Sequence, residues 1–175
     1  MNVPAVARAP IDLGPMPERG AMVTLDEAVV RVDPRALFEI VRDVRRWPEH
    51  LAHYRFVRVR ESDGLDGGVV EMAANRPFGP LNWPTWWLSD MQVIPGRPAI
   101  RFRHTGGITT GMEVEWLFAA HTGGTRVRLL HVWNGPRWPL IGSFAAARVI
   151  GPVFIHGIAS RTLAGLARVA EGAHR

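Results

Sequence analysis

Neither cysteine nor lysine occurs in the 175-residue chain. Without cysteine there is no disulfide, no thiol nucleophile and no cysteine-ligated metal. A disulfide-free chain suits a reducing compartment, and the expected location is the cytoplasm. Without lysine the basic residues are arginine throughout, and the formal net charge is +5. A basic surface attracts phosphate, but these arginines are spread along the chain and often stand near Asp or Glu. No nucleic-acid motif accompanies them. The charge reads as ordinary surface, and no nucleic-acid partner is expected.

Other signatures are missing too. There is no GxSxG, and no glycine-rich phosphate loop lies between a strand and a helix; Gly106-Gly107 and Gly123-Gly124 fit hairpin turns instead. His50 and His53 can share one helix face, but no third ligand accompanies them, so no metal is expected. Met1 to Gly20 carries several prolines, and it lacks the charged start and the apolar run of roughly 7–15 residues that a secretion signal needs. It reads as a disordered lead-in, residues 1–20, ahead of a single domain over 21–175. Pro139 to Ser160 is apolar with Arg148 as its single charge. An arginine near the centre of a span costs about 2.5–3.5 kcal/mol on insertion scales, and Gly151-Pro152 interrupts the stretch. A helix facing a core is the better reading, and membrane contact is the lesser expectation.

What is present is a series of alternating segments. Met22 to Val32 reads as a strand. Asp33-Pro34 then opens a helix, with Asp33 as N-cap and Pro34 in the first helical position. Ala36, Leu37, Ile40 and Val41 give that helix its apolar stripe, and a second short helix opens at Pro48. Tyr54 to Glu61 alternates, Ser62 to Gly68 is a turn, Val69 to Arg76 is a strand and Pro77 to Leu81 a loop. Trp83 to Ile94 is a long strand rich in tryptophan. Three clean strands follow. Ile100, Phe102 and His104 share a face opposite Arg101 and Arg103. Met112, Val114, Trp116 and Phe118 oppose Glu113 and Glu115. Val127, Leu129, His131 and Trp133 oppose Arg126 and Arg128. Side by side, their outer faces would read arginine, glutamate, arginine, each facing pair contributing about 0.2–1 kcal/mol. A helical segment over Leu140 to Ile150 stops at Gly151-Pro152, and a longer helix runs from Pro152 to about Gly172.

This order implies an α+β domain: a curved antiparallel sheet of about seven strands around a long C-terminal helix, with two short helices after the first strand. It is the helix-grip arrangement, and domains of this kind often leave a cavity between sheet and helix.

The element order, the segment Ala36-Leu37-Phe38-Glu39-Ile40-Val41-Arg42-Asp43-Val44 and the following Trp47-Pro48 resemble the START/Bet v 1-like superfamily. Within it the chain is most similar to the polyketide cyclase/aromatase and coenzyme Q-binding branch. The resemblance spans about Met22 to Gly172. It implies binding of a hydrophobic small molecule, aromatic or polyketide-like, and cofactor-independent cyclisation or aromatisation. The alternative it implies is a non-catalytic carrier of a lipid or quinone. Aromatase/cyclases of this family use a cavity arginine near the end of an early strand, a position that Asn75-Arg76-Pro77 resembles. They also place polar residues on the C-terminal helix, where this chain has Gly157 and Ala159.

The residues themselves give a compatible reading. Arg76 shares a strand face with Val70, Met72 and Ala74. A buried guanidinium needs a partner, and a ligand oxygen would serve, with arginine as a fixed electrostatic donor; the other reading is an exposed or carboxylate-paired strand end. His104 and His131 fall on apolar faces, where an imidazole can exchange protons near neutral pH or serve as a hydrogen-bonded structural residue. His156 on the last helix is a similar candidate. Trp87, Trp116, Trp133, Phe102 and Phe118, with Met72, Met112, Phe154 and Ile158, are the expected ligand-binding wall, the competing reading being ordinary core packing. Trp47 reads as a structural anchor beneath the short helices. Nothing in the residues indicates an oligomeric state.

Overall fold

The computed structural model describes residues 6–7, 9–64, 67–78, 81–94, 96–136 and 156–173, of which 6–7, 76–78, 81–83 and 156 are described by their backbone. In chain order the elements are β1 (Val6–Ala7), β2 (Met22–Val30), α1 (Pro34–Arg42), a 3-10 turn (Val44–Arg46), α2 (Trp47–His50), β3 (Tyr54–Ser62), β4 (Gly68–Phe78), β5 (Leu81–Ile94), β6 (Ala99–Gly107), β7 (Glu113–His121), β8 (Gly124–Trp133) and α3 (His156–Ala173). The expected helix over Leu140 to Ile150 lies outside the described residues.

The sheet order is β1-β3-β4-β5-β6-β7-β8-β2. Strands β2 to β8 pair antiparallel, and the two-residue β1 adds a parallel pair outside β3. The consecutive strands β2 and β3 therefore lie towards opposite edges, and the chain must cross between them. The short helices make that crossing. Asp33 caps α1 by accepting from the Arg35 and Ala36 amides at 2.9 and 3.3 Å. Pro34 occupies its first turn, where a missing N–H costs nothing. Leu37, Phe38 and Val41 then turn inward.

Register shifts between Tyr54 and Phe56, between Val59 and Glu61, and between Leu88 and Ser89 bend the sheet, since a bulge adds local twist. Helix α3 lies on the concave side. Its Ala159, Leu163, Leu166 and Ala170 join one core with Val70, Met91, Ile100, Val127 and Leu129. The fold is the helix-grip α+β arrangement expected from the pattern. Helix α3 comes close to the end of α2 at Gly165, where a Cβ would strike the buried Leu51 methyl.

The ladder between β4 and β5 continues through Arg76↔Trp83 and Pro77↔Asn82 to Phe78↔Leu81, where a loop was expected from Pro77 to Leu81. The reason lies in the neighbours. The β3 ladder ends at Tyr54↔Ala74, and the Asn75 amide, pointing away from β5, bonds to the His53 carbonyl at 2.7 Å. Pro77 has the same parity as Asn75, so its missing donor is one that β5 would not have received.

The outer face departs from expectation in two ways. Arg126 and Arg128 meet Glu27 of β2 at 3.6 and 3.4 Å rather than the glutamates of β7. Register decides this: Arg128 stands opposite Leu117 on one side and Glu27 on the other. These pairs are half-exposed and contribute little. Arg101 and Arg103 do meet a β7 glutamate. Glu113 accepts from Arg101 at 2.9 Å and also pairs with Arg103, and Arg101 is 2% exposed.

The lead-in segment, expected to lack structure, covers this network. The Leu13 carbonyl accepts from Arg103 at 2.8 Å, the Gly14 carbonyl accepts from Arg101, and the Leu13 amide donates to Gln92 at 3.2 Å. Two guanidiniums carry more donors than one carboxylate can satisfy, and backbone carbonyls take some of the remainder, with Arg101 Nε left buried without a partner. Glu113→Ala would leave Arg101 buried without its counter-charge, so it should cost about 3–5 kcal/mol in urea unfolding. Gly165→Ala should also lower stability, by about 1–3 kcal/mol from overpacking, despite alanine's better helix propensity.

Candidate functional site

Between the inner sheet face and α3 lies a cavity of about 70 Å³. Aromatic rings crowd its walls. Trp47 touches Tyr54, Trp116 and Phe102 at centroid separations of 5.4, 5.9 and 6.4 Å. Tyr54 touches Trp87 at 6.1 Å, and Trp87 stacks on His104 at 6.0 Å and 19°.

Of the expected wall, Met72, Trp87, Phe102, Met112, Trp116 and Ile158 line the cavity, as do His104 and His131. Phe118 and Trp133 are not among its lining. Phe118 packs edge-on against Phe38 at 5.7 Å. Trp133 is 1% exposed and donates its indole N–H to the Thr110 carbonyl at 3.0 Å. Both share the inner face, but they stand where α1 and the β6–β7 turn already fill the space. The Arg76 backbone is on β4, opposite Trp83; its side chain lies outside the described residues. So do Phe154 and the side chain of His156, the first residue of α3.

Residues beyond the expected set complete the lining. Trp47, expected to be an anchor, is one: its indole N–H donates to the Val41 carbonyl at 3.0 Å, and its ring forms part of the cavity. Tyr54, Val114, Leu129, Ala159 and Thr162 are the others. Val114 and Leu129 are legible from strand alternation. Thr162 stands three residues after Ala159, on the same helix face, and no local signal marks it.

Besides the indole N–H groups of Trp47, Trp87 and Trp116, four lining residues bring polar side-chain atoms: Tyr54, His104, His131 and Thr162. Nδ1 of His104 lies 2.7 Å from the Thr109 hydroxyl, and Nδ1 of His131 lies 3.3 Å from the Thr24 hydroxyl. A hydroxyl both donates and accepts. Each threonine can therefore pair with its imidazole in either tautomer. Thr162 Oγ1 lies 3.0 Å from Nε2 of His53, which is behind the cavity wall. Burial, and then the Arg161 guanidinium, hold the His53 pKa below its ordinary 6.5. Among the described residues no group of three potential metal ligands gathers, and no helix is long and apolar enough to cross a membrane.

The fold and its cavity place the chain among helix-grip ligand-binding domains, and sequence comparison narrows that. Residues 30–150 match the family described as polyketide cyclase / dehydrase and lipid transport, so this chain belongs to that family. No curated protein matches it in sequence. Among solved structures it is similar to the Zhui aromatase/cyclase from Streptomyces sp. R1128, with 18% identity, 88% of this chain and 96% of that one covered, and a TM-score of 0.73. TTHA0849 from Thermus thermophilus is similar at 16% identity, with 88% and 100% covered and a TM-score of 0.70. A START superfamily protein from Mycobacterium smegmatis follows at 13%, with 86% and 95% covered and a TM-score of 0.62. At these identities the likeness establishes the fold. The family and fold point to hydrophobic ligand binding.

The lowered pKa of His53 has a consequence for stability. Between the depressed folded value and 6.5 the unfolded chain holds a proton that the folded chain does not. The stabilisation is complete above 6.5 and is lost as pH falls through this interval. Melting temperature measured from pH 7.5 to about 5 should fall on the acid side, and His53→Gln should flatten that part of the curve.

Proposed function

We propose that this protein binds a hydrophobic, aromatic or polyketide-like small molecule in the cavity and catalyses its cyclisation. The observation that carries the reading is the pair of threonine-held imidazoles, His104 and His131, set in an otherwise largely aromatic and aliphatic wall. A ligand larger than the present cavity enters by displacing side chains. Met72 and Met112 are suited to yield, because an unbranched thioether re-packs at little cost.

The chemistry needs groups that move protons and a donor that holds negative charge on oxygen. One imidazole takes a proton from a methylene activated by neighbouring carbonyls. The enolate carbon then bonds to a second carbonyl carbon, and the resulting alkoxide takes a proton from the other imidazolium. Loss of water completes the conjugated ring. Arg76 of β4 would supply the permanent cation that polarises the ketone oxygen. No cofactor takes part. Aromatic faces orient a flat intermediate.

A carrier of a lipid or quinone is the second reading, favoured by the small number of polar atoms in the wall. Native mass spectrometry and solvent extraction of freshly purified protein separate the two. A stoichiometric isoprenoid or fatty ligand favours the carrier. Turnover of a synthetic poly-β-ketone thioester that falls about 10²–10⁴-fold in His104→Gln or His131→Gln, with binding retained, favours the enzyme. Ala159→Leu fills the cavity and should abolish binding of a hydroxyanthraquinone probe, read by tryptophan quenching; unchanged binding would remove both readings.

A further inference from the structure

Behind the cavity wall is a second hollow, of about 480 Å³. It lies where the α2–β3 connection, the Asn75 segment of β4 and the outer flank of α3 meet. Its polar lining is His50, His53, Asn75, Arg161 and Arg168, and among the described residues no carboxylate lines it. Arg161, Ala164 and Arg168 recur at helical spacing along one face of α3, and the small Ala164 and Ala52 leave the space open.

Arg42, Arg46, Arg60, Arg101, Arg103, Arg126 and Arg128 each meet a carboxylate. Among the described residues several arginines make no ion pair, Arg31 and Arg97 among them, but of these Arg161 and Arg168 share one hollow. Two guanidiniums, two imidazoles and an amide converging on a hollow form a donor set for an anion.

The hollow and the apolar cavity share a wall. His53 faces the hollow, Thr162 faces the cavity, and the bond between His53 Nε2 and Thr162 Oγ1 closes the gap at 3.0 Å. Tyr54 lines the cavity directly beside His53 in the chain and in ring contact with it, at 4.9 Å. A molecule with an apolar body and a charged end therefore finds complementary surroundings on the two sides of one hydrogen bond.

We infer that this hollow is an anion site that receives the carboxylate or phosphate end of an amphipathic ligand whose apolar part occupies the cavity. The inference rests on the cavity reading above and adds the class of ligand: an acid with an apolar body. Arg161 and Arg168 provide the fixed positive charge. His53 switches with the ligand, because an anion beside it favours the imidazolium. The groups around His53 among the described residues are Arg161, Thr162 and Arg168 on α3, Tyr54 beside it, and His50 and Asn75 around the same hollow; bound anion would be the one negative charge among them.

Dodecanoate, dodecyl phosphate and dodecanol, followed by tryptophan fluorescence, test the head group at constant chain. In parallel, inorganic phosphate alone is titrated while the His53 ring is followed by NMR. Both charged amphiphiles should bind about tenfold tighter than dodecanol, the worth of a charge-assisted hydrogen bond. That preference should disappear in the double variant Arg161→Gln/Arg168→Gln and at high salt, while dodecanol binding stays unchanged. Phosphate should raise the His53 pKa in the wild type and leave it unmoved in the double variant. Equal affinity for all three chains with no movement of His53 overturns the anion site. If phosphate moves His53 but no dodecyl compound binds, the hollow stands as a site for a free anion, and the cavity reading is the one that falls.

Discussion

The indole of Trp47 sits where the three parts of this fold meet. Its N–H is tied to the Val41 carbonyl at 3.0 Å, which sets the angle between α1 and the turns that follow. Its ring contacts Tyr54 at the start of β3 and Phe102 and Trp116 in the middle of the sheet. One side chain therefore positions the crossing helices, fixes where β3 begins and walls the cavity. Because β2 and β3 lie towards opposite edges of the sheet, the crossing cannot move without reshaping the concave surface. Buried aromatic contacts of this kind add about 0.5–1.5 kcal/mol each beyond the area they bury.

The two faces of the sheet solve opposite problems. The inner face is apolar and must be covered, and α3 covers it incompletely, leaving a small cavity against His104, His131 and Thr162. The outer face carries arginines and glutamates, and at its centre Arg101 and Glu113 have been removed from water. A buried charge is costly unless it is paired and hydrogen-bonded. The Leu13 and Gly14 carbonyls supply partners there, so the segment before β2 is held by polar satisfaction as well as by the burial of Leu13.

On the cavity side, polarity is rationed. The imidazoles are held by threonines that belong to different elements, Thr109 in the turn after β6 and Thr24 on β2. Arg161 and Arg168 are kept outside the wall. On the exposed flank of α3 these guanidiniums remain solvated until an anion arrives. This division suits a ligand with one apolar and one charged end.

Much of this was legible in the residues themselves. Asp33-Pro34 announces a helix because capping is local chemistry. Alternation along Ile100-Phe102-His104 and Val127-Leu129-His131 assigns faces because a strand has a period of two, and that brought His104 and His131 to the cavity. The same alternation put Phe118 and Trp133 in the ligand wall, where they are core, because periodicity names a face and not a position along it. Nothing local could pair His53 with Thr162, 109 residues away, or Arg101 with Gly14, 87 residues away. Those contacts exist because the sheet's curvature brings distant segments together, and only the packed chain decided how much of the hollow the tryptophans would leave and where Arg161 and Arg168 would face.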